Sequence, residues 1–181
     1  LSLIFILGLY DDKFDLSPNV RLFLLSLFIF NFLYFNNNLL ITHLNFNFLN
    51  ETLFLKKVSF IFTFFCILVF IISMNMFDGT NLQSASFYLF LIIYFINSNL
   101  EFNFFLFFLI IPIIFFSIKN FQGKAFLGDG GTYLVSFIFS IIIINNHRWG
   151  GIESDEIVMP WFTMHSYLCL KSKSIVFRAT P

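Results

Sequence analysis

Charge is scarce in this chain. Of its 181 residues only 11% are Asp, Glu, Lys or Arg and 59% are hydrophobic, whereas an ordinary soluble domain carries about 25% charged residues. That shortage argues against a water-soluble globule. No sign of charge is in surplus either, since ten basic residues balance ten acidic ones. A polyanionic backbone needs a basic excess to neutralise it, so no nucleic-acid partner is expected. Cysteine is nearly absent: Cys66 and Cys169 form no metal-type spacing and no disulfide framework. Cys66 lies in an apolar run and reads as a small buried hydrophobe. Disorder is excluded as well, because it needs low hydrophobicity and high net charge.

What the chain has instead is long uncharged runs, rich in phenylalanine, which supplies 32 residues. Residues 22–50, 58–77, 80–100, 102–118 and 130–146 contain no charged side chain, and residues 1–9 read as the end of one further span. Crossing about 30 Å of hydrocarbon takes roughly 20 mainly apolar residues in a helix. Strands are far shorter, and membrane strands alternate apolar with polar residues, which these runs do not. The expected fold is therefore all-α, a polytopic transmembrane helical bundle of about five to six spans. Pro112 falls inside one of them, where neighbouring helices tolerate it.

The acids are not scattered. Of six aspartates, five (Asp11, Asp12, Asp15, Asp78 and Asp129) occupy three short polar breaks. Between Asp12 and Asp78 there is room for two crossings and an intervening loop over residues 36–57. Between Asp78 and Asp129 there is room for two more, turning near residues 97–103. An even number of crossings returns the chain to its starting side, so all three acidic breaks are expected at one membrane surface. Six of the eight glycines (Gly8, Gly79, Gly123, Gly128, Gly130 and Gly131) sit in or beside the same breaks, where backbone would line a polar site. The basic residues do not identify that side: Lys13, Arg21, Lys119 and Lys124 lie with the acids, and Lys56, Lys57 and Arg148 opposite.

Each break offers its own chemistry. Asp11 and Asp12 are adjacent, so their mutual repulsion calls for a divalent cation or for Lys13, and carboxylates are the ligands that hard cations such as Mg²⁺ take beside substrate phosphates. The alternative is an acidic turn marking the membrane boundary. In the second break Asn75, Asp78, Asn81 and Gln83 present amide and carboxylate groups suited to a base, a ribose or a phosphate network; the alternative is a polar Asp-Gly bend. In the third, glycines flank Asp129 and Lys124 stands nearby as a phosphate counter-charge. A helix is expected to begin just after Gly131, its N-terminus favouring an anion. Together the breaks supply carboxylates, cations and backbone amides on one surface, which is equipment for phosphoryl transfer.

Three motifs carry a family resemblance: Gly8-x-x-Asp11-Asp12-x-x-Asp15-x-Ser17, then Asn75-x-x-Asp78-Gly79-x-Asn81-Leu82, then Lys124-x-Phe126-Leu127-Gly128-Asp129-Gly130-Gly131-Thr132. In this order they resemble those of the polyprenyl-phosphate N-acetylhexosamine-1-phosphate transferases, glycosyltransferase family 4, over about residues 1–140. The first motif is nearest the GlcNAc-type enzymes. The resemblance implies transfer of a sugar-1-phosphate from a UDP-sugar to a polyprenyl phosphate, with release of UMP, in cell-envelope polysaccharide synthesis. It also implies an inner-membrane location with the acidic loops facing the cytoplasm. Asp12 and Asp129 match the family's metal-binding acids, for Mg²⁺ or Mn²⁺. Asp11 matches the acid that positions or deprotonates the lipid phosphate, and Asp11, Asp12 and Asp129 form the expected catalytic set. Asn75, Asp78 and Asn81 match the nucleotide loop, and Lys124 and Arg21 match basic positions near the diphosphate. Asn81 departs from the pattern, since many bacterial members carry Asp there. A homodimer is the one protein partner left open.

The likeness fades toward the C-terminus. The family's catalytic face ends in a histidine-rich loop, whereas here His165 stands alone in a stretch that is neither a full span nor a histidine motif. Residues 1–158 are therefore expected to be a partial transferase domain, and residues 159–181 an atypical tail from a shifted reading frame or a premature end. Leu1 opens directly into an apolar run, which predicts a truncated start. His43 and His147 fall on the opposite side as loop residues. Two further readings remain beside the transferase. Asp11-Asp12-x-x-Asp15 also matches the acids of polyprenyl diphosphate synthases, although those are soluble and carry two such motifs. A non-catalytic membrane protein, such as a transporter or degenerate relative, would place charges within its spans, and these are charge-free.

Overall fold

The computed structural model describes residues 1–46, 51–79, 82–97 and 103–148. They form six helices: α1 (Ser2–Phe14), α2 (Pro18–Phe35), α3 (Ser59–Phe77), α4 (Gln83–Asn97), α5 (Asn103–Phe121) and α6 (Gly128–Arg148). A short antiparallel pair, β1 (His43–Phe46) and β2 (Glu51–Phe54), joins α2 to α3. The chain is an all-α membrane helical protein, as its composition predicts.

Local chemistry sets the helix ends. α1 stops where Asp15 turns into the left-handed region at φ 46°, its N–H bonded to the Asp11 carbonyl. Pro18 then opens α2, a position that has no intrahelical use for an N–H. Pro112 lies inside α5 without ending it. The stretch expected as a loop between α2 and α3 is instead a hairpin seated on the bundle. Leu44 pairs with Leu53 across it, Ser59 Oγ donates to the Ile41 carbonyl at 2.5 Å, and the Ile41 N–H donates to Thr63 Oγ1 at 2.9 Å. Those bonds satisfy backbone groups that would otherwise be stranded at the membrane end of α3.

α3 and α6 are the shared wall between two cores. On one side Ile67 and Ile71 of α3 and Tyr133 and Phe137 of α6 pack against Ile4 of α1 and Leu25, Ile29 and Leu33 of α2. On the other, Phe70 and Met74 with Phe139 and Ile142 pack against Tyr88 and Ile92 of α4 and Leu106 and Ile113 of α5. The outer faces stay apolar: Phe23, Leu27 and Phe30 of α2 and Phe108, Ile111 and Phe115 of α5 are all exposed. Helices apolar all round belong in lipid.

By length and composition Pro18–Phe35, Lys56–Phe77 and Gly128–Asn146 can each cross a membrane, while the apolar stretches of α4 (Gln83–Ile96) and α5 (Phe105–Phe121) are shorter. Among the described residues, three helices are thus long and apolar enough to cross by themselves, with α4 and α5 as shorter apolar helices beside them. The 13 residues of α1 in hand make about 20 Å of helix at 1.5 Å per residue. The helix directions agree with the even-crossing argument. α1, α3 and α5 end, and α2, α4 and α6 begin, at the surface that bears the acidic breaks.

Candidate active site

The site begins with two glycines. Ile4, Gly8 and Asp11 lie on one face of α1, spaced as one helical face requires, and all are buried. Gly8 meets the start of α6 so closely that a Cβ there would stand 2.3 Å from Gly130 Cα and 2.8 Å from the Asp129 carbonyl oxygen. Backbone contact of this kind brings the C-terminal end of α1 against the N-terminal end of α6. Asp12, one turn beyond Gly8, then reaches across: its Oδ1 accepts the Asp129 N–H at 2.8 Å and its Oδ2 the Gly130 N–H at 3.1 Å. A carboxylate from one helix caps the first turn of another, where free N–H groups and the helix dipole favour negative charge.

That capping corrects the expectation for α6. The helix starts at Gly128, four residues earlier than the glycine run suggests, and two of its leading N–H groups are already taken by a side-chain anion. Gly128 holds φ +66°, and a Cβ there would lie 3.0 Å from Asp12 Oδ2.

Asp11 points elsewhere, because adjacent helical residues project about 100° apart. Its side chain is buried, yet every direction is answered. Arg21 of α2 brings Nε within 2.5 Å of Oδ2 and donates from Nη2 to Oδ1 at 3.0 Å. The Tyr133 hydroxyl of α6 donates to Oδ2 at 2.8 Å, and the Leu16 N–H to Oδ1 at 3.2 Å. Arg21 Nη2 also stands 3.3 Å from Asp129 Oδ2, so one guanidinium serves acids from two breaks. Lys13, expected to relieve the Asp11–Asp12 pair, sits over the Phe14 ring instead. The repulsion is relieved by divergence, Arg21 and the α6 N-terminus.

The α3 end completes the rim. Asn75 Oδ1 accepts from the Thr132 hydroxyl at 2.8 Å, and the Asn75 side chain also bonds to the Asp129 carboxylate. Asp78 is half-buried and accepts a hydrogen bond from the Ser84 hydroxyl at the start of α4. Burial, with a smaller contribution from the negative charge of Asp129, holds the Asp78 carboxyl above its ordinary value, against the Ser84 hydrogen bond that lowers it. Between α2, α3 and α6, immediately beside these groups, lies a cleft of about 210 Å³. Arg21, Asn75 and Tyr133 line it together with Leu22, Leu25 and Ile72.

Asp11, Asp12, Asp129, Arg21 and Asn75 thus converge, with Asp78 close enough for its charge and that of Asp129 to interact. Lys124 does not join them: it is exposed, and its side chain has no partner among the described residues. Asn81, His165 and residues 159–181 lie outside the described residues. His43 is in β1, at the far end of the bundle.

Residue order assigns no role to Tyr133, Ser84 or Asn120, and Thr132 enters only as the end of the third motif. Nothing in residue order separates Tyr133 from the other tyrosines: its hydroxyl is used because α6 packs it against Asp11, whereas Tyr88 is equally buried without such an acid partner.

Among the described residues no three His, Cys, Asp or Glu side chains form a metal cage. Mg²⁺ is ordinarily held by one or two carboxylates with water and substrate phosphates. Asp12 and Asp129, from different breaks and joined through the Asp129 N–H, supply two, so the donor set fits such an ion.

No curated protein and no solved structure matches the chain. A family model described as glycosyl transferase family 4 matches residues 1–147. That match spans the helices and all three acidic breaks, and with it the convergent carboxylates, the apolar outer faces and the rim-side cleft find a common explanation: the chain belongs to glycosyl transferase family 4, a family of membrane-embedded sugar-phosphate transferases acting on polyprenyl phosphates.

Proposed function

We propose that the protein transfers a sugar-1-phosphate, GlcNAc-1-phosphate or a related N-acetylhexosamine, from a UDP-sugar to a polyprenyl phosphate. The products are a polyprenyl-diphosphate sugar and UMP. The observation that carries this reading is Arg21 at the polar end of an apolar cleft, held between Asp11 and Asp129. A lipid phosphate has an anionic head and a hydrocarbon tail, and the cleft offers the matching pair, the Arg21 guanidinium and the wall of Leu22, Leu25 and Ile72.

In the reaction an acceptor phosphate oxygen forms a bond to the phosphorus that bears the sugar. The bond from that phosphorus to the bridging oxygen breaks, and UMP departs with the electron pair. The acceptor is already anionic near neutral pH, so positioning and charge neutralisation matter more than proton transfer. Arg21 orients the acceptor phosphate. Asp11, fixed by Arg21, Tyr133 and the Leu16 N–H, keeps that guanidinium in register. Asn75, Asp78 and Asn81 receive the nucleotide, and Lys124 is free to approach the diphosphate. Asp12 and Asp129 would hold Mg²⁺ or Mn²⁺, which supplies charge neutralisation on the donor diphosphate. Nucleotide sugars are made in the cytoplasm, which puts the acidic surface on the cytoplasmic side of the inner membrane, in cell-envelope polysaccharide synthesis.

The test is direct. The chain in lipid nanodiscs is given UDP-GlcNAc labelled in the sugar, undecaprenyl phosphate and Mg²⁺, and butanol-extractable label and UMP are measured together. Equal amounts of both are expected, with Asp11→Asn and Asp129→Asn each reducing them by roughly a thousandfold. Absence of lipid-bound label, or near-normal turnover by either variant, refutes the assignment.

A further inference from the structure

We propose that Asn120 is a positioning residue that ties the α3–α4 turn to the α5–α6 turn and so sets the gap between them for the sugar-nucleotide donor; the donor part of this inference rests on the function proposed above.

Asn120 is the penultimate residue of α5 and is 3% exposed. Its carboxamide is used at both ends. Oδ1 accepts the Leu82 N–H at 2.5 Å, and Nδ2 donates to the Ala125 carbonyl at 2.8 Å. The first bond spans 38 residues of sequence and links two of the three acidic breaks. Each end lies close to a site acid. Leu82 holds φ 65°, a left-handed conformation that a branched side chain adopts at a cost, and its carbonyl accepts the Ser86 N–H at 2.8 Å as α4 begins. Ser84, two residues further on, is the donor to Asp78. On the other side, Ala125 precedes Asp129 by four residues, in a turn also closed by the Gly123 N–H to the Asn120 carbonyl at 2.9 Å.

A carboxamide places an acceptor and a donor on one planar end without any titration. Aspartate at this position keeps the acceptor for Leu82 but turns an oxygen toward the Ala125 carbonyl. Leucine, of similar size, serves neither. Because Asn120 is buried, the groups it abandons find no ready replacement from water. The two turns would then drift independently, and a donor that must touch both Asp78 and Asp129 would lose affinity before it lost turnover.

The experiment compares the full chain in nanodiscs with Asn120→Asp and Asn120→Leu, by amide hydrogen exchange and by titration with UDP-GlcNAc. Asn120→Leu is expected to speed exchange about tenfold or more in the segments holding Leu82 and Ala125, one lost bond being worth roughly that factor. Asn120→Asp should loosen the Ala125 segment while Leu82 keeps its protection, a split that general destabilisation would not produce. UDP-GlcNAc affinity and KM should worsen about tenfold in Asn120→Leu, with kcat within about twofold of the parent. Unchanged exchange in both variants overturns the tie. Loosened turns with undiminished UDP-GlcNAc affinity overturn the positioning role. A parent chain that binds no UDP-GlcNAc overturns the proposed function and the donor role together, and the exchange pattern still decides whether the tie exists.

Discussion

The two halves of the acidic rim handle buried charge in opposite ways. On the α1–α2–α6 side, Asp11 is fully enclosed, but Arg21, Tyr133 and a backbone N–H answer it, and Asp12 is matched to the start of α6. On the α3–α4–α5 side, the hydrogen-bond partners are neutral: Ser84 for Asp78, and Leu82 and Ala125 for Asn120. In the first half the fully enclosed carboxylate, Asp11, has a cation and two hydrogen-bond donors of its own. The second leaves Asp78 bearing a desolvation cost with no cation in direct contact among the described residues, as a surface awaiting a ligand's positive or hydrogen-bonding groups would.

The difference is sharpest where a charge can be removed. Arg21→Met leaves the Asp11 carboxylate buried without its cation, and breaking a buried pair from one side typically costs about 3 kcal/mol or more. A large drop in the thermal midpoint in detergent is expected. Arg21→Met combined with Asp11→Asn should recover much of it, since the second change removes the stranded charge. Equal losses in the single and double variants would show that Arg21 matters by packing rather than by charge. Next in size is Gly8→Val. With Gly130 Cα only 2.3 Å from the position of a Cβ, the two helices must separate, at a cost of about 1–3 kcal/mol. Asp12 would lose its reach to the α6 N–H groups as well. On the other half of the rim Ser84→Ala should cost only about 1 kcal/mol, one hydrogen bond at a half-buried site.

Much of this arrangement could be read from residue order. Charge-free runs mark the helices, and parity of crossings puts Asp12, Asp78 and Asp129 at one surface; the hydrogen bond between Asp12 and Asp129 bears this out for those two, and the charge interaction of Asp78 with Asp129 for the third. Gly8 and Gly130 could be tied to the site but not to each other, because which glycines meet depends on how two distant helices cross. The start of α6 at Gly128 is hidden for a related reason. Three glycines in five residues are poor helix formers, and the anchor that overrides them, Asp12, is more than a hundred residues away. The choice of Arg21 over Lys13 was hidden too: a neighbour in sequence on a helix points away, and the partner comes from the next helix. The hairpin left a faint trace in His43-Leu44-Asn45-Phe46, an alternation too short to stand out beside long apolar runs. Asn120 left none, since a single Asn in an Asn-rich chain says nothing about which two turns it joins.

Asp78→Asn is the smallest change and the one that separates the two halves by sign. The folded protein holds the Asp78 carboxyl above its ordinary value, chiefly through burial and secondarily through Asp129. The folded state therefore binds the proton more tightly than the unfolded chain, whose carboxyl titrates near about 3.9. Stability from this group is fully present below that value and is lost as pH rises through the raised folded value. Replacing the acid with its neutral isostere, which still offers an oxygen to Ser84, removes that loss. Asp78→Asn should be more stable than the parent at neutral pH, the gain shrinking to nothing as the solution is made acidic. Asp11→Asn should show the opposite at neutral pH, because there the charge is matched by Arg21 and its removal leaves the guanidinium only its longer pairing with Asp129. Thermal midpoints of both variants from pH 3 to pH 8 would settle it. If Asp78→Asn is instead destabilised at neutral pH, a cation that serves Asp78 directly must be sought in the fold, and the contrast between the two halves of the rim disappears.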